Sequence, residues 1–222
     1  METLRKLTND LLELRYKVRT DDNIVTERQV QSWIRQQRSI WVSNELNKNR
    51  FEPAYWQETG KLDLIEHPTW GADYKTTVET IPPFIQVNHR PAVIKVSDGT
   101  PLGEEFPWVN FTDLRYVGNR RFDIKTIFCT LPTGEVILKR PIDDTDGTFD
   151  SLTKVNIVGI FEDPMDLKSF TKPNGNPQYH EDDIYPIHLK LYTYMREQIV
   201  KINFPVEAQS TQDPQNDGAS QD

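Results

Sequence analysis

The chain has little of what usually marks an enzyme or a secreted protein. One residue of 222, Cys129, is a cysteine, which excludes an intramolecular disulfide and gives no sign of an oxidising compartment. No apolar run approaches the length of a membrane span, and the opening METLRKLTND has no apolar signal core. A soluble chain with no membrane partner is therefore expected. Hydrophobic residues make up 36 % and the mean hydropathy is −0.66, so part of the chain should stay unburied. The formal charge of −8 and pI near 5.1 argue against a general nucleic-acid binder. No glycine-rich phosphate loop, G-x-S-x-G or H-E-x-x-H occurs.

The scarce chemical candidates each have a plainer reading. DDTDGTFD (143–150) resembles a calcium loop. With Gly147 at the sixth position, however, Ile142 and Thr153 would fall at the first and twelfth, and neither is a carboxylate. Cys129 lies in TIFCTL, a strand-like run with no histidine close in sequence, and reads as a small core residue. His67, His89, His180 and His188 lack metal-ligand spacing, and Pro186 separates the last two. Neither catalysis nor a metal or cofactor is expected.

What is present is organisation. The charge is uneven: residues 1–50 hold ten Lys/Arg against seven Asp/Glu, whereas 51–222 hold sixteen against twenty-seven. Leu4, Leu7, Leu11, Leu14 and Val18 recur at helical spacing, and RTDDN (19–23) breaks the pattern. Thr26 and Gln29 form a capping-box signature, with Val25 and Val30 placed as a hydrophobic staple, so a second helix is predicted from about Glu27 to Asn47. Val30, Trp33, Ile34, Ile40 and Trp41 share about a third of its circumference, and the two tryptophans read as core facing the first helix. Arg28 and Arg35 project from another side, with Arg38 at its border and Val42 and Leu46 among them. Such a mixture suits a subunit interface, although a solvated face with incidental apolar residues is the alternative.

From about 75 to 162 the texture is β-rich. AVIKVSD (92–98) and TKVNIVGIF (153–161) read as strands. Hairpins are predicted at Gly118-Asn119 and around Pro132-Thr133-Gly134, and Pro82-Pro83 reduces VETIPPFIQV to an edge strand or loop. Short strands without alternating helices point to a small antiparallel sandwich or barrel. The last helix is predicted to start near Tyr185, with Pro186 in its first turn and Glu181–Asp183 at its positive end. It has two apolar stripes: Ile184, Ile187, Leu191, Met195, Ile199 and Ile202, and Tyr185, Leu189 and Tyr192. Burial from two sides, one of them by a neighbour, is expected. The tail after Pro205 is polar and reads as disordered when free, with Phe204 and Val206 as the anchors at its root.

The fold class expected is α+β: an N-terminal helical segment (1–50), a β-rich middle (51–180), a C-terminal helix on the N-terminal ones (181–205) and a tail ordered by a partner (206–222). The candidate interface comprises Arg28, Arg35, Val42, Leu46, Tyr185, Leu189, Tyr192, Phe204 and Val206.

Four pieces of the chain, LRKLTNDLLELR, ELNKNR, DDIYPIHLKLYTYMREQI and STQDPQNDG, resemble in order the neck-ring, head-to-tail connector proteins of crAss-like tailed phages. The resemblance covers roughly the first fifty and last forty residues and leaves the β-rich middle unmatched. It implies a virion structural protein, assembled in the host cytoplasm into a dodecameric ring under the portal that extends the DNA exit channel. Its implied partners are further copies of the chain, the portal protein and other neck or tail rings, with transient, non-specific contact with genomic DNA. A β-rich module binding carbohydrate or another ligand is the alternative, on the strength of Trp56, Trp70 and Trp108 in loop-like contexts. A hydrolase using the acidic loop is a weaker third reading.

Overall fold

A computed structural model describes residues 2–18, 25–100, 103–132, 134–172 and 174–204. The expected break at 19–23, Val206 and the rest of the tail lie outside these residues. Two helices open the chain, α1 (Leu4–Val18) and α2 (Glu27–Asn47). The capping box forms as its residue pattern predicts: the Thr26 amide donates to Gln29 Oε1 at 2.8 Å, and the Gln29 amide donates to Thr26 Oγ1 at 3.3 Å.

Strands follow: β1 (Gln57–His67), β2 (Gly71–Thr77), the two-residue β3 (Gln86–Val87) and β4 (Arg90–Pro91), and β5 (Val93–Ser97). After a long irregular segment come β6 (Phe128–Thr130), β7 (Ile137–Lys139), a one-turn helix α3 (Thr148–Ser151), β8 (Lys154–Gly159) and finally α4 (Leu189–Asn203). Six strands form one antiparallel sheet in the order β5-β8-β1-β2-β7-β6. The stretch 104–109 then ties its two edges together. The Phe106 amide donates to Val96 O at 2.8 Å on the β5 side, while the Val109 amide donates to Cys129 O at 2.9 Å on the β6 side. This leaves a nearly closed, barrel-like sheet with few free edge groups. The α+β class expected from the sequence is the class observed.

Period-two burial accounts for the strands: in β8, Val155 and Ile157 are fully buried while Lys154 is exposed. One continuous core joins Leu4, Leu7 and Leu11 of α1, Ile34 of α2 and Met195 and Ile199 of α4 to Leu62, Val96, Leu138 and Ile157 of the sheet. Cys129 belongs to that core, and burial pushes its thiol up to about 12.

The structure departs from the sequence expectations at several places. β1 and β2 extend the strands upstream of residue 75. Their turn is built locally, since His67 Nδ1 accepts from the Thr69 and Trp70 amides, both at 3.2 Å, and Gly71 takes φ +75°. The hairpin at Gly118-Asn119 does not form. Residues 111–125 are a 3₁₀ turn (Phe111–Asp113) followed by further turns, because β6 already pairs with β7 on one side and with residues 107–109 on the other. The hairpin across Pro132 and Gly134 does form. α4 starts at Leu189 rather than near Tyr185, with the His188 side chain accepting from the Lys190 amide at 3.3 Å. Pro186 therefore lies in the connection before the helix. Glu181–Asp183 do not open it: Asp182 pairs with Arg5 at 3.0 Å, and Asp183 accepts from the His180 amide at 2.8 Å.

The buried face of α2 is the four-residue series Val30, Ile34, Arg38, Val42 and Leu46, so Ile40 is left exposed. Trp33 and Trp41 are half-buried, pack against the core cluster that includes the α1 leucines, and meet aromatics of the last helix and its C-terminal cap. Trp33 sits edge-on to Phe204 at 5.8 Å, and Trp41 stacks on Tyr194 at 5.9 Å.

Candidate functional site

Arg38 is the residue on which helices and sheet converge. It is fully buried, with Nε donating to Pro186 O at 2.9 Å and Nη1 to Phe161 O at 2.8 Å. One side chain thereby ties α2 to the residues after β8 and to the connection into α4. Burial lowers its pKa from the usual arginine value, partly offset by the nearby Tyr185, Tyr179 and Asp163. Lys75 plays a similar part under α3, donating from Nζ to the carbonyls of Phe149 (2.6 Å), Asp150 (3.1 Å) and Leu152 (2.7 Å). The acidic loop 143–150 is also structural. Asp144 meets Arg140 at 2.9 Å, Asp150 binds the same guanidinium, and Asp144 Oδ1 accepts from the Phe149 amide at 3.0 Å.

Beside Arg38 the connection 178–188 and the start of α4 form one wall of an open groove of about 1050 Å³, and residues 53–58 form the other. Trp56, Ile184 and Leu189 stand at its rim, 41 %, 58 % and 66 % exposed, while Tyr179, Tyr185 and Tyr192 are buried in its walls. Among the described residues the hydroxyls of these three tyrosines have no hydrogen-bond partner. Burial pushes the Tyr192 phenol up to about 12, and those of Tyr179 and Tyr185 further still. The three phenols are therefore neutral in the groove walls.

The groove gathers three of the sequence candidates, Tyr185, Leu189 and Tyr192. Others lie elsewhere. Arg28 is exposed on α2, and Arg35 is paired with Asp163 at 2.8 Å. Val42 and Leu46 are fully buried with Tyr55, Ile85 and Ile160 in the subunit's own second core cluster, leaving a neighbour no surface to touch there. Arg38, Val42 and Leu46 are thus interior, with Arg38 donating from Nε and Nη1 to main-chain carbonyls while its buried Nη2 has no partner among the described residues, whereas Arg28 and Arg35 stay toward the surface. Phe204 is 8 % exposed beneath Trp33, with Arg15 over its ring at 5.4 Å. The three loop tryptophans are not gathered into one platform: Trp56 is at the groove, Trp70 stacks on His67 at the far end of β1, and Trp108 packs against the core. Sequence reasoning missed Ile184 as an exposed rim residue, since it counted Ile184 in the buried stripe of a helix that begins later.

Among the described residues no group of three or more His, Cys, Asp or Glu side chains is arranged to hold a metal ion, and no helix is long and apolar enough to cross a membrane. The class defined by these features is an α+β fold, helices packed on a nearly closed antiparallel sheet, with an open aromatic-walled groove. Residues 8–222 match the model of the crAss phage tail ring family, described as phage tail ring protein 2, and the chain belongs to that family. No curated protein matches it.

Proposed function

We propose that the chain is the repeating subunit of a dodecameric neck ring beneath the portal, forming part of the channel through which the genome leaves the capsid. The observation that carries this reading is the family match across 8–222, which makes the protein a phage tail ring component. Two further features support it. The groove leaves apolar side chains uncovered on the isolated subunit, as expected of a surface that a neighbour completes. The net charge of −8 suits a conduit, because a basic lumen would bind DNA and slow its passage. In this reading 1–50 and 181–205 form the helical part of each subunit, 51–180 the β-rich part, and 206–222 the segment that docks on the portal or a neighbouring ring.

The test is electron microscopy and native mass measurement of the protein alone and with its portal partner. Closed rings of twelve are expected, with DNA density passing through the centre in filled particles. A chain that stays monomeric in both conditions would sink the proposal.

A further inference from the structure

The irregular segment 110–127 is the least absorbed part of the fold and the most exposed. Phe111, Tyr116 and Phe122 are 46 %, 69 % and 91 % exposed. Burying such an aromatic is favourable, and the subunit alone leaves that contribution unused at Phe122. In a chain of net charge −8 this segment holds four Lys/Arg against two Asp. Lys125 pairs with Asp143 at 3.8 Å, but the exposed Arg115, Arg120 and Arg121 have no carboxylate within 4 Å among the described residues. The base of the segment is fixed. Lys139 Nζ donates to Arg115 O at 3.2 Å and Val117 O at 2.8 Å, Leu114 is buried with Phe128 and Ile137, and Phe111 stacks on Trp70 at 5.6 Å. It is an anchored arm with an aromatic, basic tip.

The groove has the complementary character. Its walls are apolar and aromatic, and Glu2, Glu58 and Asp183 line it; Glu2 is paired with Lys6 at 2.7 Å and Asp183 with Lys172 at 3.7 Å, which leaves Glu58 as its open carboxylate. Glu58 is exposed and has no cation within 4 Å among the described residues. Arm and groove also lie at opposite ends of the sheet. Gln57 and Glu58, at the start of β1, line the groove, whereas the eleven-residue strand ends at His67 beside the Trp70–Phe111 stack. At about 3.3 Å per residue these ends are roughly 30 Å apart along the strand. One subunit's arm is therefore placed far from its own groove, which is the arrangement a heterologous ring contact requires.

We propose that the arm of one copy, led by Phe122 with Arg120 and Arg121, seats in the groove of a second copy against Trp56, Leu189 and Glu58. This inference rests on the ring reading above and specifies its interface. Arginine and aromatic side chains closing on a desolvated pocket are the residue types that dominate interface energies, and the opposed charges fix the register.

The test is crosslinking of the full chain carrying both Asn119→Cys, beside the arm's tip, and Ile184→Cys, with a short bismaleimide. Asn119 and Ile184 are exposed, so neither change disturbs the core or removes a side chain named in the contact, and the buried Cys129 gives little background. The double variant is expected to give a ladder of covalent multimers on a denaturing gel, and each single variant only monomer. Rings seen by native mass measurement without a ladder would overturn the arm-in-groove contact while leaving the ring reading intact. A chain monomeric with and without its portal partner would overturn both. In a companion measurement, Arg120→Glu with Arg121→Glu should weaken ring formation about tenfold or more, and adding Glu58→Lys should restore part of it. Loss of duplex-DNA binding with ring formation unchanged would instead make the arm a DNA-facing surface and refute the proposal.

Discussion

Replacing Arg38 by alanine would remove the one side chain that joins α2, the end of β8 and the connection into α4. The Pro186 and Phe161 carbonyls, which accept from it at 2.9 and 2.8 Å, would lose charge-assisted donors. Hydrogen bonds to charged groups contribute about 1.5–3 kcal/mol each, and a buried acceptor left without a donor costs about 1–3 kcal/mol. A cavity would add to the loss, since the side chain is completely enclosed. Against this stands relief from burying a cation, the same burial that lowers the Arg38 pKa. The balance is a destabilisation of about 4 kcal/mol, a large share of the roughly 5–15 kcal/mol that holds a typical protein folded. For a chain of this size it should lower the Tm by about 10 °C. Urea unfolding followed by tryptophan fluorescence and circular dichroism measures it, and the m-value should not change. Arg38→Met, which keeps most of the volume, should lose clearly less and so separate the cavity from the hydrogen bonds. An Arg38→Ala protein within 1 kcal/mol of the parent would refute the reasoning. The same result with ring assembly lost would move Arg38 from the subunit's interior to its interface.

The Cys129 thiol, buried and raised to about 12, should not react with a thiol reagent at pH 8 until the chain is unfolded; prompt stoichiometric labelling of the native protein would contradict its place in the core. The Glu45 carboxyl is held below its usual range by hydrogen bonds from Lys48 and Arg50, both at 3.0 Å. Its stabilisation should therefore be complete above the unfolded value of about 4.3 and be lost as pH falls through the folded one, so Glu45→Gln should flatten that part of a urea-midpoint titration. Trp33→Ala should cost about 2 kcal/mol, less than a fully enclosed tryptophan, because the ring is half-buried and its main aromatic contact is the edge-on pair with Phe204. Thermal unfolding of the variant checks the figure, and a loss near zero would leave Trp33 to an interface role. Calcium should not raise the Tm, because Arg140 already engages Asp144 and Asp150; a stoichiometric shift would reverse that reading of the loop.

Features set by neighbours in sequence were legible without coordinates. The Thr26–Gln29 cap and the bounds of α2 follow from side chains that reach backbone groups within one turn. β5, β8 and the β6–β7 hairpin follow from short alternating runs and a glycine-bearing turn. Likeness to a ring protein of crAss-like phages was legible at the two ends of the chain, where the helical patterns and the polar tail lie, and the tail ring family match over 8–222 extends it through the middle. Features set by distant contacts were not. Arg38 read only as the border of the arginine-bearing side, because only folding brings the carbonyls of Phe161 and Pro186, more than a hundred residues away, to its guanidinium. Val42 and Leu46 lie on the same buried side of α2, packed on Tyr55, Ile85 and Ile160, and Ile40 faces away from it. The segment 111–125 carried hairpin residues, yet strand pairing needs a free edge, and residues 104–109 had already joined the two edges of the sheet. The groove is of the same kind. Tyr185, Leu189 and Tyr192 were visible as an apolar stripe, but Trp56 lies just before β1 and Glu58 within it, more than a hundred residues earlier, and only tertiary packing brings them to the same cleft.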